Sequence, residues 1–348
     1  MNADGAQHIL RELTERDESR WDAYVEKTPA ATFFHRAGWR RVIEDSFSHK
    51  TYYVYVERAG AITGVLPLVH LKSRLFGSAL VSIPFAVYGG PVADEPAAHD
   101  LLDAHALELA NRLDVEYLEY RSREPSRPDW ACRDDLYFTF RRAIDADPEK
   151  NLKAIPRKQR AVVRQSLEKG LEAVVEDTVD TVYAVYAESV RNLGTPVFAK
   201  KYFRNLKQVF GKDCELLAIR KDGKPVSGVL SFYFRDEVLP YYGGGTLDAR
   251  KLGANDIMYW DLMRRAGQAG YRVFDFGRSK AGTGAFSFKK NWGFTPVPLH
   301  YEYRLRRIDG IPDHNPLNPK YRLMIAAWKR LPLAVANTLG PFIVRNLG

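Results

Sequence analysis

Two kinds of hydrophobic pattern alternate along the chain, and together they predict alternating strands and helices. Apolar residues at every second position predict strands, as in TYYVYVERAGAITGVLPLVHLKS, where Arg-Ala-Gly separates two strands. CELLAIRKDGKPVSGVLSFYF has the same form around Lys-Asp-Gly, so both segments are predicted β-hairpins. Apolar residues three or four positions apart predict helices, as at Leu102, Ala106 and Leu109.

The same order of elements occurs twice. Helical sequence precedes each hairpin, and a strand end with glycines follows it, VYGGPVAD in the first copy and YYGGGTLD in the second. A helix and an alternating strand then complete each copy, ending in VEYLEYRS and YRVFDFGRS. Helix, antiparallel strands, helix and strand are typical of a mixed α/β domain around a partly antiparallel sheet, so two such domains are predicted.

The predicted domains cover residues 1–150 and 151–310, and a C-terminal helical tail covers 311–348. The join is placed near IDADPEKNLKAIPRKQR, where proline and charge interrupt the pattern. The tail, YRLMIAAWKRLPLAVANTLGPFIVRNLG, is apolar and basic but too short and too interrupted to span a bilayer. It has two interpretations: helices that pack back on the body, which is preferred, or a peripheral membrane contact with Trp328 and Phe342 at the interface.

Composition and charge narrow the function classes. Hydrophobic residues make up 45% and charged residues 27%, which excludes a disordered or fibrous chain. The net charge of +9 favours phosphate-bearing partners, although a solvated basic surface would have the same composition. The two cysteines are far apart without a CxxC motif, so no metal site is predicted. The polar N-terminal sequence has no apolar run of signal-peptide length, and a cytoplasmic location is expected.

A candidate anion-binding loop lies in the second copy, in DARKLGANDIMYW. A helix N-terminus offers unpaired N–H groups, and Gly253 would let a diphosphate approach the backbone. Arg250 or Lys251 would add charge-assisted hydrogen bonds. Glycine and Asn255 also occur as ordinary turn and cap residues. The equivalent stretch of the first copy, VADEPAAHDLL, is acidic and lacks the glycine and the arginine, so if only one copy binds an anion through this loop, it is the second.

The second copy resembles a known acyltransferase fold. Its strand, loop, helix, strand YRVFDFG and short helix GAFSFKKNWGF look like the acyl-CoA-binding half of the GNAT N-acyltransferase fold. The doubled arrangement, with ATFFHRAGWRRVIEDSF near the start and SFKKNWGF near the end, resembles the FemAB family, particularly its relatives associated with exopolysaccharide and PEP-CTERM systems. The resemblance covers almost the whole chain and implies two tandem GNAT-like domains.

The resemblance also implies a catalytic lysine. The family places a Phe-Lys pair beside the reacting carbonyl, and Phe288 and Lys289 match that pair, with Lys290 as the alternative. A fixed ammonium can stabilise the tetrahedral oxyanion that forms during aminolysis of an ester or thioester. Without the family, a lysine on an exposed helix face is the simpler interpretation.

A basic helix is a second site that the resemblance implies. The family has a phosphate-contacting arginine on the helix that opens its second domain, and IPRKQRAVVRQSLEKG fits that place. Arg157, Arg160 and Arg164 lie at helical spacing along one face, which could bind an anionic substrate or be a solvated surface.

Further candidates lie beside the strand VFDFG. Arg278 follows the strand, whose end opens toward the substrate in such a fold. Asp275 is expected either to accept the proton of the acceptor amine or to pair with Arg278 or Arg272. Tyr242 is a candidate substrate contact or a last rung of the sheet. For the tryptophans of this region, Trp260 and Trp292, a core position is preferred.

These observations lead to one main hypothesis of function. The chain is expected to be a cytoplasmic N-acyl or aminoacyltransferase of the FemAB type, at the inner face of the membrane, acting on a peptidoglycan or exopolysaccharide precursor. Aminoacyl-tRNA or acyl-CoA would be the co-substrate, with no tightly bound cofactor. One alternative is an acetyl-CoA-dependent acetyltransferase with diphosphate held between Arg250 and Asn255. Another is a non-catalytic GNAT-like scaffold at the membrane or on nucleic acid.

Overall fold

The alternating patterns form strands and helices in the order that the sequence predicts. The computed structural model describes residues 7–73, 76–312 and 322–347. The strands in these ranges are β1 (Ile9–Glu12), β2 (Lys50–Arg58), β3 (Ala61–Ser73), β4 (Gly77–Ser82), β5 (Val92–Ala93), β6 (Tyr117–Ser122), β7 (Ala131–Arg133), β8 (Tyr137–Ala143), β9 (Leu171–Val175), β10 (Cys214–Lys221), β11 (Lys224–Phe234), β12 (Glu237–Gly245), β13 (Val273–Asp275), β14 (Ser279–Lys280), β15 (Pro296–Pro298) and β16 (His300–Leu305). The helices are α1 (Glu18–Lys27), α2 (Gly38–Phe47), α3 (Pro96–Arg112), α4 (Pro148–Ala154), α5 (Arg157–Leu167), α6 (Asp180–Leu193), α7 (Lys200–Phe210), α8 (Ala249–Leu252), α9 (Ala254–Gln268), α10 (Gly284–Asn291), α11 (Arg322–Trp328) and α12 (Leu333–Val344).

The two hairpins predicted from turn residues are confirmed. Ala59 and Gly60 connect β2 to β3, and Asp222 and Gly223 connect β10 to β11. All four residues have positive φ, between 49° and 79°, as a two-residue type I′ turn requires. Local turn chemistry therefore fixes the register of both hairpins.

The first compact unit consists of the described residues up to 135, together with 299–312 and 346–347. Its mixed sheet has the order β1-β2-β3-β4-β6-β16-β7, with β5 paired to β3. Helix α3 packs on β2, β3 and β6, and its buried face contains Leu102, Ala106 and Leu109, as predicted.

The second compact unit consists of residues 136–298 and 322–345. Its sheet has the order β14-β8-β13-β12-β11-β10-β9, with β15 paired to β8. Helix α9 packs on one face of this sheet and α6 on the other. Gly243 and Gly244 are neighbours in β12 and therefore face opposite sides of the sheet. Gly243 lies against Tyr259 of α9, and Gly244 lies against Ser189 of α6. Trp260 and Trp292 belong to the core, as predicted.

The compact units differ from the continuous ranges predicted as domains. Strand β8 lies before the predicted join at 150 but pairs with β13 of the second unit. Strand β16 lies within the predicted second domain but pairs with β6 and β7 of the first. A strand's apolar pattern does not specify its partner, so sequence order misplaced both strands.

The glycines shared by the two copies also differ in structure. Gly243, Gly244 and Gly245 pair with β11 inside β12. Gly89 and Gly90 lie outside any strand and donate their N–H groups to the Arg121 carbonyl, each at 2.9 Å. The interpretation of both glycine runs as one shared strand end was therefore wrong for the first copy.

The tail packs against the second unit, in agreement with the preferred interpretation. Helix α12 contacts α6, and Gly340 lies so close to Val197 that a Cβ would be 2.8 Å from the Val197 nitrogen. Trp328 is buried, whereas Phe342 is 68% exposed. Within the described ranges, no helix is both long enough and apolar enough to cross a membrane.

Candidate active site

The candidate site lies where two parallel strands of the second unit diverge. Strands β12 and β13 pair only through Glu237 with Val273 and Val238 with Phe274. Beyond these pairs β12 continues beside β11, while β13 ends beside β8. A bulge at Tyr241 shifts the register of β12 against β11 and bends the strand. The carboxyl ends of two diverging parallel strands form a crevice in which α/β proteins commonly bind ligands.

Lys289 is fixed at the end of β13. The hydroxyl of Thr283 caps α10 by accepting from the Phe286 N–H at 3.3 Å, and α10 then carries Lys289 into the interior, where it is 9% exposed. Its ammonium donates to the carbonyls of Phe276, Gly277 and Arg278 at 2.6, 3.0 and 3.2 Å.

The pKa of Lys289 is unusually low for a lysine. Burial lowers the pKa of Lys289 to about 7, an effect that the charge of Arg278 increases and that of Asp275 opposes. The ammonium has three N–H groups and donates to three carbonyls, so all of its donors are used in this arrangement. Lys290, the alternative, is exposed, which favours Lys289 as the lysine at the crevice.

Asp275 lies in the interior at the last position of β13. Its side chain has no exposed surface and forms an ion pair with Arg141 at 3.2 Å. It also accepts from the Gly277 N–H at 2.7 Å and from the Thr139 hydroxyl at 3.4 Å. Arg141 on the adjacent strand β8 is therefore a cationic partner of Asp275 that the sequence did not indicate. Its donors and burial favour a role in shaping the strand end over proton transfer.

Aromatic side chains line the crevice. Tyr259, on α9, contacts the rings of Phe276 at 4.9 Å and Phe288 at 5.6 Å. Its hydroxyl lies 2.9 Å from the position of a Cβ on Gly243, so a glycine at that point of β12 leaves room for the phenol. Burial raises the pKa of Tyr259 to about 12, so the hydroxyl stays protonated at neutral pH. Sequence reasoning missed Tyr259 because its helix position indicates only a core-facing aromatic.

Arg278 lies just after the end of β13 and is partly exposed. Its guanidinium lies over the Tyr137 ring at 4.7 Å, and the Lys280 ammonium approaches that ring at 5.4 Å. Both basic side chains are partly exposed. They place positive charge beside the carbonyls that Lys289 binds.

Tyr242 occupies a different environment from the one proposed for a substrate contact. Its hydroxyl lies 3.0 Å from that of Tyr202, and its ring packs against Tyr186, Phe198 and Phe203. The side chain is almost fully buried, and burial raises its pKa well above the usual value. Tyr242 is therefore part of the core.

The basic helix α5 packs beside the candidate anion-binding loop. Arg157 and Arg164 are exposed and Arg160 is half-buried, while Val163 and Ser166 form the buried face. Gly253 has φ of 67° and faces Ser166, whose Cβ would lie 3.0 Å from a Cβ at this glycine. The Lys169 ammonium donates to the Lys251 carbonyl at 3.0 Å. The three arginines are thus presented to solvent by a helix that covers one side of the loop.

An acidic side chain already occupies the start of α9. Asp256 lies in the first turn, where the helix dipole favours a negative group. Its carboxylate accepts from the Trp292 indole at 3.0 Å and from Gln159 of α5, and burial raises its pKa. Arg250 and Lys251 are exposed. Asn255 directs its Oδ1 toward Gly245, and among the described residues this buried oxygen has no hydrogen-bond partner.

The described residues include no group of three His, Cys, Asp or Glu side chains that could hold a metal ion. The predicted residues form two clusters. Phe288, Lys289, Asp275 and Arg278 surround the end of β13, whereas Arg157, Arg160, Arg164 and the loop residues Arg250, Lys251, Gly253 and Asn255 lie where α5 meets α9. Asp256 links the clusters through Trp292, which ends α10.

Comparison with known proteins agrees with this topology. A family profile described as an acetyltransferase (GNAT) domain matches residues 157–290. FemX has 15% identity, covers 91% of this chain and 100% of its own, and superposes with a TM-score of 0.69. The chain has a FemAB-like tandem GNAT fold. Its second unit is a GNAT acyltransferase domain, as the sequence predicted.

Two further structures share this tandem GNAT fold. L-PGS from Bacillus licheniformis has 12% identity over 91% of this chain and 98% of its own, with a TM-score of 0.56. A tandem GNAT protein from the clavulanic acid biosynthesis pathway has 14% identity over 88% and 100%, with a TM-score of 0.53. A comparison with curated protein sequences found no match. At these identities the likeness shows the fold alone.

Proposed function

We propose that this protein transfers an aminoacyl or acyl group from an ester donor, such as aminoacyl-tRNA, to a peptidoglycan or exopolysaccharide precursor at the inner face of the cell membrane. The observation that carries the proposal is the buried Lys289 at the crevice between β12 and β13. The structural similarity to FemX supports a cell-envelope acceptor.

The proposed reaction is aminolysis of the donor ester. The acceptor amine attacks the donor carbonyl, a C–N bond forms, the ester C–O bond breaks, and the amine proton ends on the leaving hydroxyl of the tRNA ribose. Negative charge develops on the carbonyl oxygen in the transition state, where a preorganised cation is most effective. Lys289 would supply that charge by exchanging its longest hydrogen bond, to the Arg278 carbonyl, for the oxyanion.

Other side chains would position the two substrates. The exposed arginines of α5 and Arg278 would bind phosphate groups of the tRNA or of a nucleotide-linked acceptor. Phe288 and Tyr259 would contact the acyl group, because their rings line the crevice. The Tyr259 hydroxyl is available as a hydrogen-bond donor at neutral pH.

The packing of the loop after β12 argues for an ester donor over coenzyme A. Ser166 covers Gly253, and Asp256 already places a carboxylate in the first turn of the helix that follows. Two negative groups at one helix terminus repel each other. An aminoacyl-tRNA donor makes no use of a diphosphate at that position.

The test supplies both donors to the full-length protein. Labelled aminoacyl-tRNA and labelled acetyl-CoA are each incubated with a UDP-linked muramyl peptide, and transferred label is measured. We expect label from aminoacyl-tRNA, with a loss of about 100-fold or more in Lys289→Met and little loss in Lys290→Met, the matched exposed neighbour. Equal activity of Lys289→Met and the wild type would refute the catalytic assignment.

Acetyl-CoA-dependent acetylation is a second candidate, favoured by the GNAT profile that matches residues 157–290. Coenzyme A would then have to displace Gln159 or Ser166 from the loop. Saturable stabilisation of the protein by coenzyme A in a thermal-shift assay, increased in Asp256→Asn, would support this candidate. Transfer of acetyl label in the first assay would support it further.

A further inference from the structure

The C-terminal helices present an apolar surface that the second unit does not cover. Leu323 of α11 is 83% exposed and Phe342 of α12 is 68% exposed. The exposed large side chains here, which we name the C-terminal apolar face, are Leu323, Met324, Val335, Leu339 and Phe342. Five large apolar side chains on two successive helices are thus exposed, a composition typical of interaction surfaces.

The orientation of α12 is fixed by its opposite side. Val335, Leu339 and Phe342 follow one another at spacings of four and three, so they share one side of the helix. Ala336 and Gly340 lie on the buried side, where Gly340 contacts Val197. Because the opposite side of α12 packs against the core of the unit, the exposed stripe faces away from that core.

Helix α11 likewise has one side buried against the second unit and one side exposed to solvent. Ile325 contacts Gly194 at the end of α6, where a Cβ on the glycine would be 2.5 Å from the Ile325 side chain. Trp328 is buried, while Leu323 and Met324 point to solvent. The Arg191 guanidinium donates to the Lys329 carbonyl at 3.4 Å and helps to hold the end of α11 on the unit.

The charge of the segment indicates what the face binds. From residue 322 to 348 the sequence contains basic residues but no Asp or Glu. Lys329 and Arg330 are exposed at the connection between the two helices. Apolar side chains next to lysine and arginine, without acids, are typical of helices that lie in the interface of an anionic bilayer. A symmetric contact with a second copy would place this basic segment near itself, at a cost in repulsion.

We propose that the C-terminal apolar face docks the protein on a membrane that contains anionic phospholipid. Leu323, Leu339 and Phe342 enter the region between headgroups and acyl chains, and Lys329 and Arg330 bind lipid phosphates. This docking does not depend on the acyl donor or on the acceptor, and it would bring the second unit to a membrane-linked substrate.

Flotation of full-length protein with lipid vesicles tests the docking. We expect binding to phosphatidylcholine vesicles that contain phosphatidylglycerol to be about tenfold or more tighter than binding to phosphatidylcholine alone, and to weaken at high salt. The double variant Leu339→Glu/Phe342→Glu should lose binding by about tenfold or more. Lys329→Gln/Arg330→Gln should lose the preference for anionic vesicles.

The matched control is Ile9→Glu/Val175→Glu, which adds the same two charges at exposed apolar positions of strands. It should bind vesicles like the wild type. Circular dichroism and unfolding midpoints confirm that each variant is folded. Unchanged binding of the Leu339→Glu/Phe342→Glu variant would overturn the proposal. So would a wild-type dimer that this variant converts to monomer without any vesicle binding, because the face would then be a self-association surface.

Discussion

The two compact units share one topology but differ at the equivalent strand ends. In the first, β4 and β6 pair in parallel from Ala79 with Tyr117 to Val81 with Glu119, as β12 and β13 do in the second. The segment after β4 then returns to the strand end, where the N–H groups of Gly89 and Gly90 bind the Arg121 carbonyl. In the second unit a lysine side chain binds the equivalent carbonyls.

Buried backbone groups at a strand end need partners, and the units satisfy this need differently. The first uses its own chain, held further by Arg121, which donates to the Ala86 carbonyl at 3.2 Å. This segment is strained, because Ile83 and Phe85 have φ of 51° and 67°. The second uses the ammonium of Lys289 and keeps aromatic rings beside it. An ammonium held in this way would also stabilise negative charge that develops beside it in a reaction.

The largest expected effect concerns the first unit. Arg121 and Glu119 form a buried ion pair at 2.6 Å, so Arg121→Met should reduce the free energy of unfolding by about 3–5 kcal/mol. Arg11→Met is the matched control, because Arg11 pairs with Glu57 at the same 2.6 Å on the surface, where the loss of an ion pair costs little. Chemical denaturation measures both. Equal losses would mean that Arg121 does not hold this strand end.

Lys289→Met should separate activity from stability in the second unit. We expect kcat/KM to fall about 100-fold or more, equivalent to about 2.7 kcal/mol of transition-state stabilisation. Stability should fall less than in Arg121→Met, because the loss of the hydrogen bonds to the three carbonyls is partly offset when a buried charge and its desolvation are removed. If the Met variant unfolds as readily as Arg121→Met, Lys289 is mainly structural, and the two strand ends are alike.

Gly253→Ala tests how tightly α5 closes the loop. Alanine at φ of 67° costs about 1–2 kcal/mol, and here its Cβ would also meet Ser166. Gly223→Ala is the control, since Gly223 has φ of 75° with no atom near a Cβ. We expect a measurably greater loss of unfolding free energy for Gly253→Ala. Equal losses would indicate that the loop can open to admit a ligand.

The last expected effect is a dependence of stability on pH. The folded pKa of Lys289 is lowered from 10.5 to about 7, so between these values the unfolded chain binds a proton that the folded chain does not. Stability therefore rises with pH in this window, by at most about 1.4 kcal/mol per pH unit, and the effect disappears below pH 7. The difference in unfolding free energy between wild type and Lys289→Met should follow this trend. A flat difference would show that Lys289 ionises normally.

Part of the site could be predicted from sequence. The Phe-Lys pair, the basic helix and the loop before α9 are candidates that the sequence indicates through short patterns and a family resemblance, and their roles stay predictions. The sequence did not predict the partners of these residues. Arg141 lies far from Asp275 in sequence, and β8 carries no signal that it pairs with β13. The burial of Tyr242 was also undetermined, because aromatic residues occur both in cores and in pockets.

The sequence by itself determined the kinds of elements, the two hairpin turns and the doubled order of the units, because periodicity and turn chemistry act over a few residues. Only the tertiary structure decided which strands pair, which helix covers Gly253 and what Lys289 binds. Those interactions join segments that are distant along the chain, and they depend on burial and on hydrogen-bond partners that no local pattern specifies.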